Sequence, residues 1–131
     1  MSDRSCLIPV LAAVLLGATV PAAAHHSFAA IFDAAKPVKI TGTVTRMEWM
    51  NPHTWIYIDA KGADGKAEQW AFELGSPNRL MRYGWNQDSL PTGTTITITG
   101  SRARDGSLKA AADKVTLPDG KQRSEEHTSE L

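Results

Sequence analysis

Between Val38 and Trp49 the chain alternates with a period of two, and the phase of that alternation changes partway along. Val38, Ile40, Gly42 and Val44 alternate with Lys39, Thr41, Thr43 and Thr45, after which Met47 and Trp49 fall on odd positions. A period of two belongs to a strand, because successive side chains of a pleated backbone point to opposite faces. A phase change inside the strand places a bulge or sharp bend near Thr45-Arg46, with Gly42 as a second flexible point. A long strand bent in its middle suits a small closed barrel, which needs such a corner to close. Asn51-Pro52 then ends the strand.

The segments that follow supply its partners. Thr54 to Ala60 places Ile56 and Ile58 on one face, and Trp55 and Tyr57 on the other together with His53 just before them. Asp64-Gly65 is a hairpin signal. Beyond it Trp70, Phe72 and Leu74 alternate with Gln69, Ala71 and Glu73. Ser76-Pro77 predicts a helix start, with serine at the N-cap and proline in the first turn, and Gly84 is its stop. Thr94 to Ser101 alternates Ile96 and Ile98 with threonines, Asp105-Gly106 marks a turn, and Ala110 to Leu117 supplies a fifth strand. The expected fold is all-β: a five-stranded barrel similar to the OB-fold, with one short helix between strands three and four. An open β-sandwich is the competing arrangement; the single helix in that slot favours the barrel.

Both ends stand apart from this pattern. Leu7 to Val20 is almost wholly apolar and is followed by Pro21-Ala22-Ala23-Ala24. At about 14 residues the run is short of the roughly 20 that a helix needs to cross a bilayer. Residues 1–24 therefore read as a signal peptide cleaved after Ala24, with an uncleaved membrane anchor as the alternative. The expectation is a periplasmic or secreted protein that begins at His25 and has no membrane span after cleavage. Cys6, the sole cysteine, would be lost with that segment. Residues 25–37 read as an N-terminal arm and 38–122 as the barrel. The last nine residues, Arg123 to Leu131, resemble the translation of a common sequencing adapter; a solvated acidic tail is the alternative.

Composition narrows the function. With 14 Lys+Arg against 14 Asp+Glu the formal charge is zero, without the basic excess of a nucleic-acid binder, so no nucleic-acid partner is expected. Catalysis has little support: Asp33 and Glu73 are single carboxylates with no evident partner, and Ser27 and Ser76 lack a nucleophile context. Arg79, Arg82, Arg102 and Arg104 read as a solvated face, and Met47, Met50 and Met81 as packing residues.

Two constellations remain. A chain beginning at His25 carries an α-amine and an imidazole on one residue, and His26 or His53 can add a further imidazole. This resembles the histidine brace of copper enzymes and periplasmic copper carriers, and copper(II) suits such nitrogen sets. The competing reading makes His25 and His26 a frayed terminus and His53 a cap on the Asn51-Pro52 turn. The second constellation is Trp49, Trp55, Tyr57 and Trp85, a candidate ligand face on the second strand; alternatively Phe28 and Phe32 of the arm pack over these rings and close them off.

His25-His26-Ser27-Phe28, Phe32-Asp33, Gly42-Thr43-Val44, Asn51-Pro52-His53-Thr54-Trp55, the run Trp70 to Pro77, and Gly84-Trp85 together resemble a family of short exported bacterial proteins known as domain of unknown function 6152. The resemblance covers residues 25–121. It implies a small exported domain and brings no catalytic residues with it. The expected function is thus a non-enzymatic, exported β-barrel module that binds a small ligand or a periplasmic protein. The alternatives are a copper carrier or sensor using His25 and His53, and an accessory subunit of an exported oxidoreductase.

Overall fold

The phase change near Thr45-Arg46 is a β-bulge. In β1 (Phe32–Glu48) Val44 pairs with Ile58 and Arg46 with Tyr57, so Thr45 is the extra residue against β2 (Trp55–Lys61). The computed structural model describes residues 26–124. A short helix, α1 (His26–Ile31), leads into β1; β3 (Ala67–Glu73), α2 (Pro77–Arg82), β4 (Thr95–Ala103), β5 (Lys109–Thr116) and β6 (Gln122–Ser124) follow β2. β1 is 17 residues long and pairs antiparallel with β4 along its first part and with β2 along its second. A single bent strand thereby serves two neighbours.

Closure comes from β3, which pairs antiparallel with β2 and parallel with β5. The ring runs β1-β2-β3-β5-β4, with α2 between β3 and β4. This is a five-stranded OB-like barrel. Ile56, Ile58, Phe72, Ile96 and Ile98 fill it, together with Trp70, Leu74, Leu80, Trp85 and Val115. Gly42 admits the close approach of β2, because a Cβ there would meet the Asp59 carbonyl oxygen at 2.5 Å. Ser76 caps α2, its Oγ accepting the Arg79 N–H at 3.4 Å, and Gly84 takes the left-handed conformation that ends it, φ +81°.

Three features depart from the expectations. First, the segment read as an arm is folded onto the barrel. β1 begins at Phe32, not at Val38, and Phe32 packs with Ala103 and Ala111 in a small second cluster. Arg104 fastens α1: its N–H donates to the Ile31 carbonyl at 2.8 Å, its Nε donates to the Ala29 carbonyl at 2.7 Å, and its Nη1 pairs with Asp33 at 3.5 Å. Asp33 pairs with Arg102 and Pro37 with Ser101, and the register shifts across the exposed Ala34 to Lys36, so no apolar alternation marks this stretch as strand. Second, the β4–β5 pairing shifts register: Thr99 opposes Lys114 and Gly100 opposes Ala112, so Asp113 is an extra residue in β5. Third, β6 pairs with β5 and includes Arg123 and Ser124; the rest of the terminal string lies outside the described residues.

Phe72 is fully buried, whereas Thr97 lies on the outer face with its hydroxyl 2.8 Å from that of Thr41. Chemical denaturation should show Phe72→Ala losing about 3–5 kcal/mol and Thr97→Ala less than about 1 kcal/mol. Equal losses would contradict the strand phase.

Candidate functional site

Residues directly opposite in adjacent strands share a face, so the register orders the outer surface into rows. One row reads Glu48, Trp55, Glu73, Ala111 across β1, β2, β3 and β5; the next reads Arg46, Tyr57, Ala71, Lys109. Trp55 and Tyr57 are half-buried. The Arg46 guanidinium lies 3.9 Å from the Tyr57 ring centroid and its Nε is 3.0 Å from Glu48 Oε1, while the Tyr57 hydroxyl donates to Glu48 Oε2 at 3.2 Å. Glu48 therefore ties the two rows together.

The loop between β1 and β2 closes one end of this surface. It includes a cis Asn51–Pro52 peptide and returns the chain so that Thr54 N–H donates to the Gly75 carbonyl at 3.0 Å, while Leu74 N–H donates to the Thr54 carbonyl at 2.8 Å. Thr54 is fully buried and its Oγ1 has no hydrogen-bond partner. One residue earlier, His53 stands at the rim with its Nδ1 3.1 Å from the Leu74 carbonyl oxygen and 3.0 Å from Glu73 Oε1. Both neighbours are acceptors, so Nδ1 carries the hydrogen and, in the neutral ring, the lone pair is on Nε2. The His53 side chain is 46% exposed and that of Glu73 18%. Burial pushes the Glu73 carboxyl above its ordinary value, and the charge of His53 pulls part of that rise back.

Several sequence-level expectations are corrected by this arrangement. Glu73 is not an isolated carboxylate, because His53 reaches across to it; nor does His53 cap the Asn51-Pro52 turn, since its partners are Glu73 at the end of β3 and Leu74 just beyond it. Trp85 is in the core, its indole N–H donating to the Ser124 carbonyl at 3.4 Å, and Trp49 packs against that core. The aromatic face thus reduces to Trp55 and Tyr57. Phe32 packs with Ala103 and Ala111 and not on those rings, and Phe28, its ring centroid 5.5 Å from that of Phe32, is about half exposed. Met47 packs against the core, whereas Met50 and Met81 are about half exposed. Asp33 is held by Arg104, and Arg102 bonds the Gly106 carbonyl and lies over Trp70.

Of the proposed metal ligands, His26 opens α1 and His25 lies outside the described residues. Among the described residues no three His, Cys, Asp or Glu side chains are grouped to hold a metal ion. Glu48 and the Glu73–His53 pair were missed from sequence. Counting outward from the Asp64-Gly65 hairpin gives the register that sets Trp55 against Glu73; placing Glu48 needs the position of the bulge as well.

Fold and site together define a small OB-like barrel protein with one aromatic and acidic outer face beside a buried loop anchor. The chain belongs to the family of unknown function DUF6152, whose model matches residues 13–112. No curated protein sequence matches it. Among solved structures, the mitochondrial single-stranded DNA-binding protein of S. cerevisiae is similar at 11% identity, over 66% of this chain and 95% of that one, with a TM-score of 0.47. Among the described residues no helix is long and apolar enough to cross a membrane.

The Glu73 carboxyl should titrate above its ordinary value of 4.5 when followed by carboxyl NMR. His53→Gln, which keeps the bulk and removes the charge, should raise that midpoint further. A midpoint that falls in the variant would show that His53 does not act on Glu73 through charge.

Proposed function

We propose that this protein is an exported, non-catalytic binding module whose ligand face is the outer surface of β2 and β3, at the end closed by the Trp49 to Thr54 loop. The observation that carries this reading is the convergence of the two motif-bearing segments. Asn51 to Trp55 and Trp70 to Pro77, separated by a hairpin, meet there through paired backbone bonds and bring Trp55, Glu73 and His53 together; Tyr57 of β2 and Glu48 of β1 complete one face with two half-buried aromatics, two carboxylates and an imidazole. Ser76 and Asp33 have structural roles, in capping α2 and in holding Arg104, which supports a role in binding and not in catalysis. Two carboxylates beside the indole disfavour a phosphate backbone, in keeping with a small ligand or a periplasmic protein as partner and not nucleic acid.

A second reading, a copper carrier or sensor, is favoured by a specific feature of His53. Metal-binding imidazoles characteristically donate their other ring N–H to a carboxylate or backbone carbonyl, and Nδ1 of His53 faces both. The chain's N-terminal element also lies one strand away: Phe32 packs on Ala111, the neighbour of Glu73. His25, freed by cleavage after Ala24, would supply the amine and the further imidazole. The idea of an oxidoreductase accessory subunit gains no feature of its own.

One preparation tests both readings. Protein recovered from its native host after export should begin at His25 by mass spectrometry, and small-molecule screening by NMR should give ligands that perturb Trp55, Tyr57 and His53 together. Ligands that bind only elsewhere would overturn the binding-face reading. Calorimetric titration with copper(II) should lose affinity on His53→Ala and, separately, on extension of the N-terminus; copper binding indifferent to His53 would overturn the second reading.

A further inference from the structure

Trp55 stands between two carboxylates. Its cross-strand neighbours are Glu48 on β1 and Glu73 on β3, and directly opposed residues have Cβ atoms about 4.5–5.5 Å apart. The row contains no lysine or arginine; it reads Glu48, Trp55, Glu73, Ala111. The adjacent row shows how the same surface accommodates a cation: the Arg46 guanidinium lies over the Tyr57 ring, 3.9 Å from its centroid, and is steadied by Glu48. Trp55 has the better ring for such a contact and has a carboxylate on each side.

We propose that Trp55, Glu48 and Glu73 form a site for an organic cation of the alkylammonium class, held on the indole face by cation–π attraction and by the field of the two carboxylates. This assignment rests on the binding-face reading above and names the ligand class for it. A metal ion does not suit the same three residues. Glu48 and Glu73 stand two strand spacings apart, about 9–10 Å, and each carboxylate has its own partners, Arg46 and Tyr57 for one and His53 for the other. An alkylammonium group needs no converging ligands. It needs an aromatic face, negative potential and partial shelter from water, all of which this row supplies. Both Glu48 oxygens are engaged and Arg46 offsets much of its charge, so Glu73 supplies the contact and most of the field.

The test is an NMR titration of the protein with choline and with 3,3-dimethyl-1-butanol, its neutral isostere, read on the Trp55 indole N–H and on the backbone amides of Tyr57 and Glu73, which still report when Trp55 is replaced. Choline should give saturable shifts, with the isostere weaker by about tenfold or more, a difference of the size expected when a charge leaves an aromatic site. Glu73→Gln, which keeps the shape of the side chain, should weaken choline by about tenfold, and Trp55→Leu should abolish the effect. Asp59→Asn makes the same charge change further along β2, opposite Thr43 and Gln69, and should alter affinity by less than about twofold. Equal binding of choline and isostere would overturn the cation assignment while leaving a ligand face in place. Equal effects of Glu73→Gln and Asp59→Asn would reduce it to diffuse charge. No saturable shift with choline would also overturn it, and whether the face binds anything would then be read from the wider ligand screen.

Discussion

Two backbone hydrogen bonds, Thr54 N–H to the Gly75 carbonyl and Leu74 N–H to the Thr54 carbonyl, fix everything that this surface presents. They lock the end of the β2–β3 ladder at a residue that is itself fully buried, so the register cannot slip without exposing Thr54 and breaking the ladder. A slip of one residue would turn every side chain of β2 to the opposite face. With the register held, Trp55 falls beside Glu73 and His53 is carried to the rim, where Nδ1 meets the Leu74 carbonyl and Glu73 Oε1. The bulge at Thr45 completes the same alignment from the other side by bringing Glu48 opposite Trp55.

The side chains on this face are poor choices for stability alone. A carboxylate withdrawn from water is less favourable when ionised, which is why burial raises the Glu73 titration. Because its folded value lies above the ordinary one, the protein is favoured with Glu73 protonated, and part of its stability is lost as pH rises through that range. His53, nearly half exposed, recovers only some of this. The opposite face of the same strands holds Ile56, Ile58 and Phe72 in the apolar interior. One strand pair thus separates a packing side from a side whose Glu73 carboxylate costs stability when ionised, in keeping with the binding role proposed for it.

Much of the barrel was legible because its signals are local. Alternation fixed which side of each strand faces inward, Ser76-Pro77 marked α2, Asp64-Gly65 marked the hairpin, and the phase change located the bulge. What escaped was non-local. α1 and the first residues of β1 are secured by Arg104 and by Ala103 and Ala111 from β4 and β5, contacts that no pattern within residues 26–37 records. Trp85 follows a glycine in a polar loop and looks exposed, yet it is buried in the same cluster as Leu80 of α2, whose carbonyl accepts the Trp85 N–H at 3.1 Å. The His53–Glu73 pair escaped for a different reason: each residue alone is ordinary, and only the cross-strand register unites them.

If the row of Glu48, Trp55 and Glu73 is maintained for a ligand and not for the fold, removing the buried charge should not harm the fold. Urea unfolding of Glu73→Leu against the parent protein tests this directly. At neutral pH the variant should be as stable as the parent or more so, by up to about 2 kcal/mol, and any advantage should shrink as the pH falls and Glu73 in the parent takes up its proton. A loss of more than about 2 kcal/mol at neutral pH would show that Glu73 and His53 hold the barrel together, and would contradict a ligand role for this face.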